Sequence, residues 1–329
     1  MKQRVPYFDV AKGILMLMVI YGHCMNWNRD SVMDKDIIVL SPIQNIWQSF
    51  FMPAFFVITG LCSNFNRSFK DFFVRNFKSL LVPCWFFTIL NPFDLPNIHI
   101  KKAFVEILLY GGNSTFWFIP ALFFSKMIYW MLSNCPPLQR HRLIAPLILL
   151  MMAISSTKLN EIDVPNYYYI LQVFNLTIYL YIGEHLKKYI ENRRMMQILL
   201  IIYLIIVSLI FYLGGEVPTV TRAFRCSISH FPLYFLLSVL GSISIIEISR
   251  WIGKNLILEF IGRGSLVVFI FQSYFLVNFM NIYKDSFLAH GFYGSTFLLL
   301  STIVMDIVFC LSMYWILNRK YLKWILGKF

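Results

Sequence analysis

The sequence predicts an all-α integral membrane protein, a polytopic bundle of about ten transmembrane helices with both termini in the cytoplasm. Three observations carry this. Of 329 residues, 58% are hydrophobic and 14% charged, with a mean hydropathy of +0.66, whereas soluble chains are about a quarter charged. Apolar stretches of membrane length recur; 196–213 (MQILLIIYLIIVSLIFYL) carries no charge at all. Lys and Arg alternate between successive loops rather than clustering on one segment.

Taken in order, the expected spans lie near 8–26, 41–62, 79–94, 115–133, 143–157, 166–186, 196–213, 231–247, 264–283 and 294–317. One set of connections holds Lys2 and Arg4, then Arg67, Lys70, Arg75 and Lys78, then Arg140 and Arg142, then Lys187, Lys188, Arg193 and Arg194, then Arg250, Lys254 and Arg263, and finally Arg319, Lys320, Lys323 and Lys328. The opposite set has only Arg29, Lys35, Lys101, Lys102, Lys158, Arg222, Arg225 and Lys284. Cytoplasmic loops favour Lys and Arg, so the richer set and both termini belong in the cytoplasm. The net charge of +13 therefore encodes orientation, and no nucleic-acid partner is expected.

No repeat or linker divides the chain, so residues 1–329 are read as one domain. The third and fifth spans are short and carry Pro83, Pro92 and Pro146, so either one pair of boundaries lies elsewhere or one segment is re-entrant. Six scattered cysteines show no metal or disulfide spacing, and no metal is expected. The first span follows a basic start, but Lys12 and His23 interrupt it and no cleavage motif follows.

That first span, DVAKGILMLMVIYGHC at 9–24, carries the candidate chemistry. Lys12 and His23 are eleven positions apart, which on a helix puts them on one face about 16 Å apart in rise. Asp9 lies one turn before Lys12 and can pair with it. Ionisable groups at membrane depth are costly and are functional candidates, against the plainer alternative of a snorkelling lysine and a histidine bonded to a neighbouring helix. Asp306, inside the last span, needs a partner or water on the same grounds.

The stretch YFDVAKGILMLMVIYGHC resembles the first helix of the membrane-bound acyltransferase-3 family, in which a basic residue, ten residues and a histidine recur. It is most similar to the fucose 4-O-acetylase-like branch, through Asp9, Lys12, Gly13, Gly22 and His23. MPAFFVITG (52–60), RNFKSLLVP (75–83), FWFIPALFF (116–124) and IGRGSLVVFIFQ (261–272) match in the family's order. Many relatives have arginine in place of Lys12 and histidine in place of Gln272.

The resemblance implies a membrane O-acyltransferase moving an acetyl group from cytoplasmic acetyl-CoA to a hydroxyl of a cell-surface or lipid-linked carbohydrate, such as an exopolysaccharide or O-antigen, in a bacterial plasma membrane. His23 is then general base or transient acyl relay, both of which need its ring nitrogen, and Asp9 positions Lys12. Lys12, with Arg75 and Lys78 three apart on a helix, would receive the CoA phosphates, although basic cytoplasmic loops are common in any case. Trp117, in the family-like WFIP, would line the acyl tunnel, stack on a sugar or anchor at the interface. A flippase for lipid-linked sugars and a scaffold that has lost catalysis are the alternatives; no inverted repeat favours the flippase.

Overall fold

A computed structural model describes residues 5–31, 41–90, 99–140, 143–162, 166–218, 228–279 and 291–327. Among the described residues the chain is helical and holds no strand. The helices are α1 (Pro6–Ser31), α2 (Ser41–Gln48), α3 (Phe51–Cys62), α4 (Phe69–Asn76), α5 (Val82–Leu90), α6 (Ile100–Tyr110), α7 (Phe118–Ser133), α8 (Pro136–Arg140), α9 (Ile144–Glu161), α10 (Ile170–Leu186), α11 (Arg193–Tyr212), α12 (Phe231–Ile252), α13 (Leu256–Arg263), α14 (Ser265–Phe279) and α15 (Gly291–Leu317). Arg222, Arg225 and Cys226, together with Pro92, lie outside the described residues.

Five helical segments among the described residues are long and apolar enough to cross a membrane, or up to seven if each of two bent pairs is one span. Pro83 and Pro146 do not mark the bends. Residues 69–90 form one continuous 22-residue candidate span in which a π-helical turn, Phe77–Leu81, joins α4 to α5. The breaks fall instead where the segment ending at Phe116 meets α7, at 118°, and where α13 meets α14, at 82°. In α11 and α15 the outward faces are apolar and exposed, with Leu204, Ile205, Val304 and Val308 turned away from the bundle, as lipid-facing helices require.

Side-chain caps set where several elements begin. Ser68 accepts from the Asp71 amide and donates to its carboxylate, a reciprocal cap that starts α4. Asn192 and Asn255 cap α11 and α13 in the same way, accepting from the amides of Met195 and Leu258.

Two glycine pairs bring backbones into contact. A Cβ on Gly13 would stand 2.2 Å from the Leu258 carbonyl oxygen and one on Gly262 1.9 Å from that of Asp9, so α1 and α13 touch directly. Likewise a Cβ on Gly60 or Gly183 would meet the Leu180 or Val57 carbonyl at 2.3 or 2.1 Å, which joins α3 to α10. With hydrocarbon on both sides of the comparison, such contact replaces the hydrophobic effect as the force holding helices together.

Cross-links gather many helix ends at one end of the bundle. Arg250 reaches Tyr7 (3.0 Å) and the Ile190 carbonyl, Lys187 the Ser63 carbonyl (2.6 Å), Asn134 the Phe65 carbonyl (3.1 Å) and Trp130 the Arg67 carbonyl (3.0 Å). These ends hold much of the basic loop set. Helix α1 runs from this end through the middle of the assembly, packed by α3, α12, α13, α14 and α15.

Candidate active site on helix α1

Asp9, in the first turn of α1, is buried with its side chain 4% exposed. Its carboxylate lies 2.8 Å from the Lys12 ammonium and 3.7 Å from Nε of Arg263, which also binds Glu259 one turn back on α13. The Gly13–Gly262 contact is what delivers Arg263 to Asp9: with the backbones touching, one turn of α13 stands beside the first turn of α1. Two cations about one buried carboxylate offset its desolvation, and both keep hydrogen-bonding capacity for a further anion. The pairing of Asp9 with Lys12 is as the sequence predicts; Arg263, by sequence one of the charges of a connection, is instead a second partner of Asp9.

Beside this group a second cation-rich cluster forms around Cys62, the exposed last residue of α3. The charges of Lys12, Asp9, Lys187 and Lys126 all act on its thiol, and Arg75 acts on Lys126. Lys187 is anchored on the Ser63 carbonyl next door, and Lys126 sits 5.7 Å above the Phe72 ring. Arg75 is thus brought towards Lys126. Arg75 and Lys78 are both exposed, but the π-turn beginning at Phe77 underwinds the helix between them, so simple i, i+3 geometry does not apply. The Lys78 carbonyl is instead crowded by the backbone of Gly327. Sequence reasoning missed Lys126 and Lys187 as members of the site; the available signal was a lysine in the middle of a span.

His23 lies on the same unbroken helix as Lys12, so their shared face and about 16 Å of rise hold. It is half-buried. Around its turn, Tyr21 meets Trp47 edge to face at 4.8 Å, and the neighbouring Gly22 leaves room for the buried Gln44 of α2. On its other side the buried Cys24 feels the charge of Asp306. Asp306 is fully buried on α15; one carboxylate oxygen accepts from the Cys310 thiol at 3.2 Å, and the other has no hydrogen-bond partner among the described residues. Gln272 on α14 is also buried, with its side-chain oxygen unpartnered among the described residues. Cys310 reaches the Val268 carbonyl, so Gln272 and Asp306, each one turn further along an antiparallel pair, stand level.

Trp117 sits at the 118° break before α7, half-buried and edge-on to Phe118 at 6.0 Å. Phe118 packs in turn on Phe55, Phe56 and Phe269, so an aromatic wall links α3, α7 and α14.

Residues 5–317 match the profile of a family described as "Acyltransferase domain". The chain belongs to the acyltransferase-3 family. The match covers nearly the whole chain. A relative within the family, nodulation protein NolL of Mesorhizobium japonicum, is 31% identical over 134 residues, which are 39% of this chain and 35% of that protein. The match therefore spans about a third of the length of that curated relative. No solved structure matches. In this acyltransferase-3 chain two of the family-like segments, 52–60 on α3 and 261–272 on α13 and α14, pack against α1; Gly13 and Gly262 touch across α1 and α13, while Gly60 joins α3 to α10.

Proposed function

We propose that this chain is a membrane O-acetyltransferase that takes acetyl from cytoplasmic acetyl-CoA and places it on a hydroxyl of a cell-surface or lipid-linked carbohydrate. The reading places about ten spans in a bacterial plasma membrane, with the basic end of the bundle and both termini in the cytoplasm. One observation carries it: a single continuous helix, enclosed by its neighbours, bears a cation-rich group at one end and an imidazole three turns further in.

The ends suit the two halves of the reaction. CoA carries several phosphates, and Lys12, held by Asp9 and flanked by other cations, supplies charge-assisted hydrogen bonds to them. The thioester arm then runs along α1 towards His23, beside the aromatic wall of Trp117 and Phe118. There the neutral imidazole takes the proton of the acceptor hydroxyl as its oxygen attacks the thioester carbonyl. The carbon–sulfur bond breaks and the sulfur leaves as thiolate, which collects the proton to give CoA. In the relay variant the same ring nitrogen first receives the acetyl group and then yields it to the hydroxyl.

Binding of acetyl-CoA to purified wild-type protein and to Lys12→Ala, followed by radiolabelled acetyl transfer to surface glycan in cells carrying wild type or His23→Ala, tests this. Binding weakened by the first change and transfer abolished by the second are expected. Absence of CoA binding by the wild type would overturn the reading and favour a flippase, which has no use for that ligand.

A further inference from the structure

The last span ends at Leu317, and the chain beyond it turns back onto the bundle. The amides of Leu322 and Lys323 donate to the Arg319 carbonyl at 3.0 and 3.1 Å, and that of Gly327 to the Trp324 carbonyl at 2.9 Å, which folds residues 319–327 into a compact strap. Ile325 and Leu326 are buried in the main core, and Trp324 stands edge-on to Phe86 of α5 at 5.7 Å. Gly327 has φ +66°, and a Cβ there would lie 1.9 Å from the Lys78 carbonyl oxygen and 2.8 Å from the Ser79 Cα. A side chain at this position would drive the strap off the π-turn Phe77–Leu81.

The other face of the strap has the opposite chemistry. Arg319, Lys320, Tyr321, Lys323 and Trp324 are exposed, and the Arg319 guanidinium lies 3.6 Å over the ring of Trp315, itself exposed at the end of α15. No ion pair holds Lys320 or Lys323 among the described residues, and no Asp or Glu follows Asp306 in the sequence. An acid-free surface of cations and amphipathic rings, just past the end of an apolar span, stands at headgroup level and matches anionic phospholipid.

We propose that residues 319–327 form an anionic-lipid-binding strap: Lys320 and Lys323 take lipid phosphates, and the docked strap clamps the π-turn through Ile325, Leu326 and Gly327. A π-turn is a rare geometry that needs tertiary support, and this one carries Lys78 and begins two residues after Arg75. Resting on the function proposed above, the lipid therefore regulates the basic end of the enzyme.

Hydrogen exchange reads the clamp without turnover. Full-length protein would be placed in nanodiscs of phosphatidylcholine alone or with about a third phosphatidylglycerol, and exchange of the 77–81 amides followed by mass spectrometry. Phosphatidylglycerol is expected to slow this exchange about tenfold. The protection should vanish in Lys320→Gln/Lys323→Gln and persist in Lys320→Arg/Lys323→Arg. It should also persist in Arg193→Gln/Arg194→Gln, which removes as much charge from another exposed site at the basic end. Gly327→Ala should exchange fast in both lipids. Acetyl transfer by the wild type should rise about threefold with phosphatidylglycerol, and that of the glutamine variant should not.

Equal exchange in the two lipids, or protection that survives the loss of both lysines, would overturn the strap. Loss of protection in Arg193→Gln/Arg194→Gln would do the same, since bulk charge alone would then draw the lipid. Protection by glycerol phosphate added to the phosphatidylcholine discs would overturn a membrane source for the phosphate. Transfer insensitive to the lipid, with the turn protected, would overturn the regulatory role. A protein that binds no CoA would sink the function and leave the strap and its lipid standing.

Discussion

Asp9 holds its place by ion-pairing with cations on two helices, so its removal tests more than one contact. Asp9→Ala would leave Lys12 and Arg263 facing one another without the carboxylate; both cations keep access to water, so the loss falls below the roughly 3–5 kcal/mol of a fully buried pair. A lower thermal midpoint in detergent is expected, together with weaker CoA binding. Lys12→Arg should behave differently, because guanidinium keeps the charge and can clamp a phosphate with two donors; binding at or above the wild-type level would be read by calorimetry. His23→Ala should lower the acetyl-transfer rate by about 100-fold or more, the usual contribution of a positioned acid–base group, while the protein stays in the membrane at normal abundance. At this scale the sequence was informative where partners lie on one helix. Asp9 and Lys12 are one turn apart and could be paired on sight, whereas Arg263 and Lys126 reach the site only through tertiary contacts between distant helices, which leave no spacing to read.

At the scale of elements, the α1–α13 crossing decides whether those charges meet. A methyl group on Gly262 would lie 1.9 Å from the Asp9 carbonyl, and neither backbone can yield without moving its helix. Gly262→Ala should therefore cost about 1–3 kcal/mol of stability or more and reduce CoA binding more than Ala substitution at the exposed Leu256 of the same helix. Equal behaviour of the two variants in thermal melting and binding would show that the close crossing does not position the site. Hydropathy found most of these elements but not their shape. It measures how apolar a stretch is, so α4 and α5, joined through a π-turn, read as a shortened third span, while α6 and α13, the short helices before the sharp breaks at Trp117 and Gly264, read as connections. Proline was a poor guide in the described segments because Pro120 and Pro146 both sit in the first turn of a helix, where a missing amide costs little, and Pro83 directly follows the π-turn of a helix that continues through it.

Across the whole molecule, orientation links the charge pattern to the direction of transfer. The helix ends joined through Arg250, Lys187, Asn134 and Trp130 belong to connections rich in Lys and Arg, so the Asp9, Lys12 and Arg263 group and the basic end coincide. Helix α11 gives the cleanest test. Its 20 residues run unbroken for about 30 Å, a full hydrocarbon thickness, with Arg194 exposed at its start and Glu216 exposed beyond its end. With Arg194 in the cytoplasm, Glu216 must stand outside. In intact cells a membrane-impermeant maleimide should label Glu216→Cys and leave Arg194→Cys untouched until the membrane is opened, with peptide mass spectrometry separating these sites from the native cysteines. The reverse pattern would put that group outside the cell, where acetyl-CoA is absent. A cytoplasmic donor could not then reach Lys12, and the proposed direction of transfer would fall even if His23 proved essential.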